Sequence, residues 1–276
     1  MPALAADVRA LDVRPGIWIR PTAIVDPAGR ALRPGPRPAP ELPLDLSLAE
    51  NLASVRRDVD TVVGWGYELV KFDFSTFDLF GRFGPAMGWE LTDGGWHHAD
   101  RSLTNAELLT RLYRTIADAA GDAVLIACNT VGHLASGLVH AQRVGDDTSG
   151  RDWERTRLMG VNSLAFRLPQ HGVLFAADPD CVACTPQTPW ALNRLFLDVV
   201  ARSGTPLFVA VDPRSRDRGV DDDIGAAVRL ALAGGEPGGL EPVDWLGTSA
   251  PTRWRGSGAL TTYSWDEPLG VRPPGD

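Results

Sequence analysis

Short runs of apolar residues alternate along this chain with longer stretches of helical periodicity. The clearest run covers residues 67–74, which are apolar and aromatic and include Lys71 and Asp73 near the end. Runs of this length and composition predict buried β-strands. Further strands, or the ends of strands, are predicted over residues 17–21, 123–129, 142–148, 173–177 and 206–211.

Helices are predicted between these strands. Residues 47–50 and 104–107 both have the Ser/Thr-x-x-Glu pattern of a capping box, and they begin helices that run to about residues 65 and 121. The remaining helical segments are predicted over residues 3–11, over 153–167, from Thr188 to about Ser203, and from Asp221 onward.

Two long stretches show no periodicity and are predicted to be loops. Residues 21–43 are rich in proline and glycine, and residues 75–103 carry many aromatic side chains. Aromatic rings in a loop suit the flat apolar face of a sugar, but they could equally pin the loop to the core. The aromatic residues in question are Phe77, Phe80, Phe83, Trp89 and Trp96.

The alternation of strands and helices predicts parallel β-α-β units. The longer polar loops follow the C-terminal ends of the strands, which favours a (β/α) barrel over a doubly wound sheet. Residues 1–236 are therefore interpreted as a barrel domain. After Gly235 the segments become rich in Trp, Thr and Ser, so residues 237–276 are predicted to be a small β-rich piece.

Composition excludes several classes of partner. The chain has 276 residues and a formal net charge of −8, which argues against nucleic acid or an anionic membrane as a partner. No apolar run is long enough to cross a bilayer. Three cysteines do not make a disulfide framework, so a reducing compartment, the cytoplasm, is expected. The sequence leaves the oligomeric state open, a homo-oligomer included.

No metal or cofactor is expected. No glycine-rich dinucleotide fingerprint or phosphate loop follows a strand. Cys181 and Cys184 have CxxC spacing without a second such pair, and we favour two strand-end thiols over a zinc or redox role. His97 and His98 are neighbours on an extended segment, where adjacent side chains point apart, so a shared metal is disfavoured.

Lys71 and Asp73 are two residues apart on the central strand, so both side chains are expected on the same face. A buried pair of this kind is costly unless it is compensated or used. One hypothesis makes Asp73 a nucleophile that Lys71 helps to keep ionised. A structural ion pair at the end of the strand is an equally open interpretation.

Polar side chains collect at the predicted strand ends, which face one mouth in a barrel. Carboxylates with a lysine, an arginine and a tryptophan suit a carbohydrate site. A retaining glycosidase needs two carboxyl groups about 5–5.5 Å apart, and Asp73 and Asp147 are candidates. The strand-end residues are Trp18, Arg20, Lys71, Asp73, Cys128, Asn129, Arg143, Asp146, Asp147, Asp178, Asp180 and Asp212.

Four segments carry a resemblance to a known family. Residues 71–74 (KFDF) resemble the K-x-D-F nucleophile motif of the α-galactosidase-like retaining glycoside hydrolases, the clan of melibiases and raffinose synthases. Residues 143–148, followed by Trp153, resemble that clan's R-x-x-x-D acid/base segment. Residues 15–21 resemble its third barrel strand, and residues 178–181 resemble its N-D-P-D-C segment on the seventh strand.

The resemblance implies roles for individual residues. It implies Asp73 as nucleophile and Asp147 as acid/base in a double displacement, with Asp146 as a neighbouring carboxylate that would favour the protonated form of Asp147. It also implies an α-glycoside as substrate. The contacts that it implies to the sugar are Trp18, Arg20, Lys71, Cys128, Asn129, Arg143, Asp146, Trp153 and Asp180.

The sequence also departs from the family pattern. The family's first two barrel strands carry a tryptophan and a D-D-x-W segment, whereas this chain starts with a helix just before the third strand. Residues 92–96 resemble D-D-x-W but follow the nucleophile strand. The expected fold is thus an incomplete (β/α)8 barrel with strands 3–8. Two alternatives are a barrel remnant that binds carbohydrate or is inactive, and a Schiff-base enzyme with Lys71 as the amine.

Overall fold

The computed structural model describes residues 1–25, 31–32, 41–81 and 96–265. Phe83, Trp89 and residues 92–95 lie outside these ranges, so the predictions made for them stay predictions. The chain divides into two compact units, residues 1–142 and 143–276. No helix within the described ranges is both long and apolar enough to span a membrane.

The first unit is built on parallel strands in the order β1 (Gly16–Ile19), β4 (Leu69–Phe72), β5 (Val124–Ala127) and β6 (Ala141–Arg143), the last of which reaches the unit boundary. Trp18 is in register with Lys71, and Lys71 with Ile126. Two further strands of this unit, β2 (Ala23–Ile24) and β3 (Leu42–Pro43), form a short antiparallel pair.

Helices connect these strands, and the two long ones pack against each other. Each buries one apolar stripe at helical spacing, for example Val55, Val59 and Val62 in α2 and Leu108, Leu112 and Ile116 in α4. The helices of the first unit are α1 (Pro2–Arg9), α2 (Ala49–Gly64), α3 (Ser75–Phe80), α4 (Asn105–Ala120) and α5 (Gly132–Ala135).

The two predicted capping boxes differ in outcome. Thr104 caps α4 as predicted, because its hydroxyl accepts from the Glu107 N–H and the Glu107 carboxylate accepts from the Thr104 N–H. The box predicted at Ser47 is wrong. The Ser47 hydroxyl donates to Asp45 Oδ1 at 2.7 Å, and α2 begins after Leu48 without a side-chain cap.

The prediction that residues 75–103 form one long loop is also wrong. Its first six residues form helix α3, which begins directly after the central strand. Phe77 and Phe80 are each 6% exposed, so they pack inside the unit and do not offer their faces to a ligand.

The second unit contains further parallel strands and a small antiparallel sheet. The N–H of Val144, just after β6, donates to Asp178 O at 2.9 Å, and β8 pairs in parallel with β9. The strands are β7 (Ala176–Asp178), β8 (Cys181–Cys184), β9 (Phe208–Val211), β10 (Leu240–Pro242), β11 (Arg253–Gly256) and β12 (Ala259–Thr262).

The helices of the second unit include an unusual wide turn. The segment predicted to be helical over residues 153–167 is indeed helical, but its middle part, Arg157–Asn162, is a π-helix. The others are α6 (Trp153–Thr156), α7 (Ser163–Arg167), α8 (Trp190–Ser203), α9 (Arg218–Leu232) and 3₁₀ turns at Leu168–Gln170 and Pro213–Ser215. Helix α9 begins earlier than predicted because Asp217 caps it by accepting from the Val220 N–H.

The predicted C-terminal β-rich piece consists of β10, β11 and β12, and it is tied to helix α8. Arg202 Nη1 donates to Tyr263 OH at 2.8 Å, and Tyr263 OH donates to Asp198 Oδ2 at 2.5 Å. Trp254 is fully buried in the same apolar cluster as Phe196 of α8. A domain boundary at residue 236 stays a prediction.

Cys181 and Cys184 both lie on strand β8, and neither is part of a disulfide. Residues three apart on a strand point to opposite faces, so the two thiols do not face one another. His98 Nδ1 lies 3.0 Å from Asp45 Oδ1. Among the residues that the structure describes, no three potential metal ligands come together.

Replacing Thr104 with alanine tests the cap of α4. We expect Thr104→Ala to lower the free energy of unfolding by about 1 kcal/mol, since it leaves the Glu107 N–H in the first turn without its acceptor. Thr110→Ala in the same helix is the matched control, because the Thr110 hydroxyl only bonds back to the Ala106 carbonyl. Urea unfolding of both variants measures the difference. Equal effects would contradict the capping role.

Candidate active site

Asp73 directly follows strand β4, and its backbone N–H donates to Ile19 O at 3.1 Å, continuing the pairing with β1. Its side chain is 7% exposed. A carboxylate buried to this extent needs hydrogen-bond donors, because losing water is costly for a charged group. The neighbouring segments supply them.

Three N–H groups hold the Asp73 carboxylate. Oδ1 accepts from the Phe74 backbone at 2.6 Å and from Asn129 Nδ2 at 2.6 Å. Oδ2 accepts from the indole Nε1 of Trp18 at 3.1 Å. An ionised carboxylate is purely an acceptor, so it matches these three donors.

Asn129 is itself fixed by the segment after Asp73. It has a left-handed backbone with φ of 50°, which asparagine tolerates better than most residues. Its carbonyl accepts from Ser75 Oγ at 3.0 Å and from Thr76 Oγ1 at 2.7 Å. The Asn129 side-chain amide that donates to Asp73 therefore belongs to a turn whose backbone is fixed by hydrogen bonds.

Tyr113 contacts the residues on either side of the Asn129 turn. Its hydroxyl accepts from the Val131 N–H at 3.1 Å and lies 3.5 Å from Ser75 Oγ. Burial raises the pKa of Tyr113 to about 12, so it stays a neutral hydrogen-bonding group at any physiological pH. Tyr113 thus adds no charge to the hydrogen bonds around the Asn129 turn.

A structural ion pair between Lys71 and Asp73 was one of the two open interpretations, but the hydrogen bonds that the structure gives Asp73 come from other residues. Both Asp73 oxygens instead face N–H donors. Lys71 is half-buried and in register with Trp18, whose indole is 50% exposed. A role for Lys71 as a sugar contact stays a prediction.

Arg20 was predicted as a sugar contact, but its guanidinium is bound to a carboxylate. Nε and Nη2 donate to the two oxygens of Asp78 at 3.2 and 2.5 Å. The hydrogen bond to Asp78 raises the pKa of Arg20, so the charge is permanent. Sequence reasoning did not identify Asp78 because it treated that segment as a loop.

In the second unit, the guanidinium of Arg143 gathers three carboxylates. Arg143 is the last residue of β6 and is 8% exposed. Nη1 donates to Asp147 Oδ1 at 3.1 Å, Nη2 donates to Asp180 Oδ1, and Nε lies 3.8 Å from Asp178 Oδ2. A buried guanidinium requires such partners, because an uncompensated buried charge is strongly destabilising.

Asp180 fixes the loop that leads from Arg143. Its Oδ2 accepts from the Thr148 N–H at 2.7 Å and from Thr148 Oγ1 at 3.1 Å. With Arg143 on its other oxygen, Asp180 is fully engaged by the protein. Asp180 therefore has a structural role in fixing this loop. A contact between Asp180 and the sugar stays a prediction.

Asp146 and Asp147 lie on the exposed side of this loop. The Asp147 side chain is 70% exposed and is held through Arg143. Asp146 pairs with Arg155 at 2.7 Å, and one of its oxygens accepts from the Asp147 N–H. The two adjacent carboxylates thus have different partners.

Gly145 allows the loop to pass close to the π-helix. A Cβ at this position would lie 2.1 Å from the carbonyl oxygen of Met159 and 2.8 Å from Ser163 Oγ. Any side chain would push the loop away from its support. Single π-turns occur frequently at functional sites. Here the π-helix packs against the segment that carries Asp147.

Two predicted contacts are buried. Trp153 is 4% exposed, its Nε1 donates to Trp265 O at 2.7 Å, and it belongs to the apolar core of the second unit. Cys128 is also 4% exposed. Their roles as contacts to the sugar stay predictions.

Solved glycoside hydrolases share the fold of this chain. An α-galactosidase from Thermus thermophilus is 20% identical, with a TM-score of 0.58 over 96% of this chain and 55% of that one. A β-L-arabinopyranosidase from Geobacillus stearothermophilus is 14% identical, with a TM-score of 0.63 over 85% and 57%. An isomalto-dextranase from Arthrobacter globiformis T6 is 14% identical, with a TM-score of 0.64 over 92% and 48%.

These similarities establish the fold. It is an α/β fold with parallel strands, an incomplete (β/α) barrel of the type found in α-galactosidases and related glycoside hydrolases, with a small C-terminal β piece. The predicted fold class and the resemblance in fold are confirmed. The chain spans about half the length of these solved proteins. No model of a protein family matches the sequence, and neither does any curated protein.

The burial of the Arg143–Asp180 ion pair predicts how much each carboxylate of this segment contributes to stability. We expect Asp180→Asn to lower the free energy of unfolding by about 3 kcal/mol, because it removes charge from a buried pair and presents an amide N–H₂ to existing donors. Asp146→Asn removes an equally charged but exposed partner, and should cost less than about 1 kcal/mol. Denaturant unfolding compares them. A cost for Asp146→Asn as large as that for Asp180→Asn would refute the assignment.

Proposed function

We propose that this chain carries the catalytic residues of a retaining glycoside hydrolase of α-galactosidase type. Asp73 acts as nucleophile and Asp147 as acid/base. The observation that carries the proposal is the Asp73 carboxylate, which is buried at the C-terminal end of a parallel strand and oriented by three N–H donors. Barrel enzymes keep their chemistry at this end of the strands.

The hydrogen bonds of Asp73 leave a reactive lone pair. Oδ1 accepts two bonds, whereas Oδ2 accepts only the bond from Trp18 within the described part of the chain. One lone pair of Oδ2 is thus available for attack on an anomeric carbon. Fixing the oxygen in advance removes much of the entropic cost of that attack.

The reaction follows two displacements. Asp73 Oδ2 bonds to the anomeric carbon while the bond from that carbon to the leaving oxygen breaks, and Asp147 gives its proton to that oxygen. Water then attacks the same carbon, Asp147 takes the proton of the water, and the ester to Asp73 breaks. The configuration at the carbon is retained.

Asp147 has an environment that suits an acid/base. It must exchange a proton with the reactants in each half of the reaction, and its side chain is 70% exposed. Arg143 holds one of its oxygens at 3.1 Å, which orients the carboxyl group. Lys71, Trp18 and Arg143 are proposed to contact the sugar.

Covalent trapping tests the nucleophile. Incubation with a ring-fluorinated α-galactosyl fluoride should add one glycosyl group to the peptide that contains Asp73. The ring fluorine slows both displacements, whereas the fluoride leaving group speeds up only the first, so the ester accumulates. Mass spectrometry of a digest locates the adduct. Asp73→Asn should remove both the adduct and turnover of p-nitrophenyl α-D-galactopyranoside, a fall of about 10⁴-fold or more given the size of enzymatic accelerations.

Asp60→Asn is the matched control. Asp60 is an exposed carboxylate in the same unit that lies 3.9 Å from Arg56 in helix α2, and the variant should keep full labelling and turnover. Labelling on any other residue, or full turnover by Asp73→Asn, would refute the assignment. Sugar binding by the wild type without labelling or turnover would favour a non-catalytic carbohydrate-binding protein.

A further inference from the structure

The Arg20–Asp78 pair lies directly beside the turn that carries Asp73. Asp78 is 2% exposed. Its carboxylate accepts from Nε and Nη2 of the Arg20 guanidinium and from Thr22 Oγ1 at 2.6 Å. A guanidinium that grips one carboxylate through two N–H groups has a fixed orientation. Arg20 is thus a rigid part of the unit.

Phe74 is the residue on which this pair acts. The Arg20 guanidinium carbon lies 4.8 Å from the centre of the Phe74 ring, and the Asp78 N–H donates to Phe74 O at 2.8 Å. Phe74 has a left-handed backbone with φ of 68°, which is unfavourable for a bulky residue. The surrounding contacts must therefore hold it there.

The conformation of Phe74 determines how Asp73 is held. In this conformation the Phe74 N–H points at Asp73 Oδ1, 2.6 Å away. The Phe74 and Trp18 rings also meet edge to face, with ring centres 6.2 Å apart, and Trp18 holds Asp73 Oδ2. Two of the three donors on the carboxylate depend on where Phe74 lies.

We propose that Arg20 is a positioning residue for Asp73. Together with Asp78 it clamps Phe74 in its left-handed conformation, and through Phe74 it sets the direction of the nucleophilic oxygen. The structural part stands on the contacts alone, and the kinetic consequence rests on the proposed function.

Steady-state kinetics separate positioning from sugar binding. We expect Arg20→Met to lower kcat about 10- to 100-fold, the cost of a misplaced reacting group, with KM for p-nitrophenyl α-D-galactopyranoside changed less than about threefold. Arg20→Lys keeps the charge but loses the fork, and should lower kcat to an intermediate degree. Arg14→Met is the matched control, because the exposed Arg14 pairs with Glu68 and with no other residue in the described part of the chain.

Two kinetic outcomes would overturn the proposal. A higher KM at unchanged kcat would make Arg20 a contact to the sugar. A lower melting temperature with unchanged kcat per folded molecule, measured by labelling of Asp73, would make the pair a purely structural one.

A second measurement needs no activity. The indole N–H signals of the nine tryptophans can be observed by two-dimensional nitrogen–proton NMR, and Trp18→Phe identifies the signal of Trp18. Arg20→Met and Arg20→Lys should shift or broaden the Trp18 signal, and Arg14→Met should leave it in place. An unchanged Trp18 signal in both Arg20 variants would refute the clamp. If the wild type had no turnover, the proposed function would fail while this test still decided the clamp.

Discussion

A buried carboxylate must be surrounded by donors, and in the first unit this requirement links three strands. Asp73 ends β4, Trp18 lies on its neighbour β1, and Asn129 follows its other neighbour β5. Because the strands are parallel, their C-terminal ends lie at the same edge of the sheet. The two side-chain donors, Trp18 and Asn129, can meet at this carboxylate because β4 lies between β1 and β5. The fold and the candidate nucleophile depend on each other.

In the second unit the buried charge is positive, and carboxylates compensate it. Here the buried group is a cation, Arg143, and the compensating groups are carboxylates that follow the strands β6 and β7. Asp178 and Asp180 are 2% and 8% exposed, so their own charges also need Arg143. Removing Arg143 would leave two buried carboxylates without this cation, which is costly. This mutual dependence fixes the loop on which Asp147 lies.

Local pattern was sufficient to predict most strands and helices, because alternation and helical periodicity depend on neighbours in the sequence. It was not sufficient where a distant residue competes. Ser47 and Thr104 have the same four-residue pattern, but only Thr104 caps a helix. The Ser47 hydroxyl bonds to Asp45, which His98 and the Ala99 N–H hold from the far end of a long connection. Likewise, sequence placed Lys71 beside Asp73, whereas the donors are Trp18, Asn129 and a backbone N–H.

The two candidate catalytic carboxylates differ in environment as their chemical tasks differ. Asp73 is 7% exposed and bound through both oxygens, whereas the Asp147 side chain is 70% exposed and bound through Arg143. A nucleophile attacks one carbon from one direction, so rigidity favours it. An acid/base must gain and lose a proton in each cycle, so access to water favours it. The difference in environment between Asp73 and Asp147 therefore agrees with the two different tasks proposed for them.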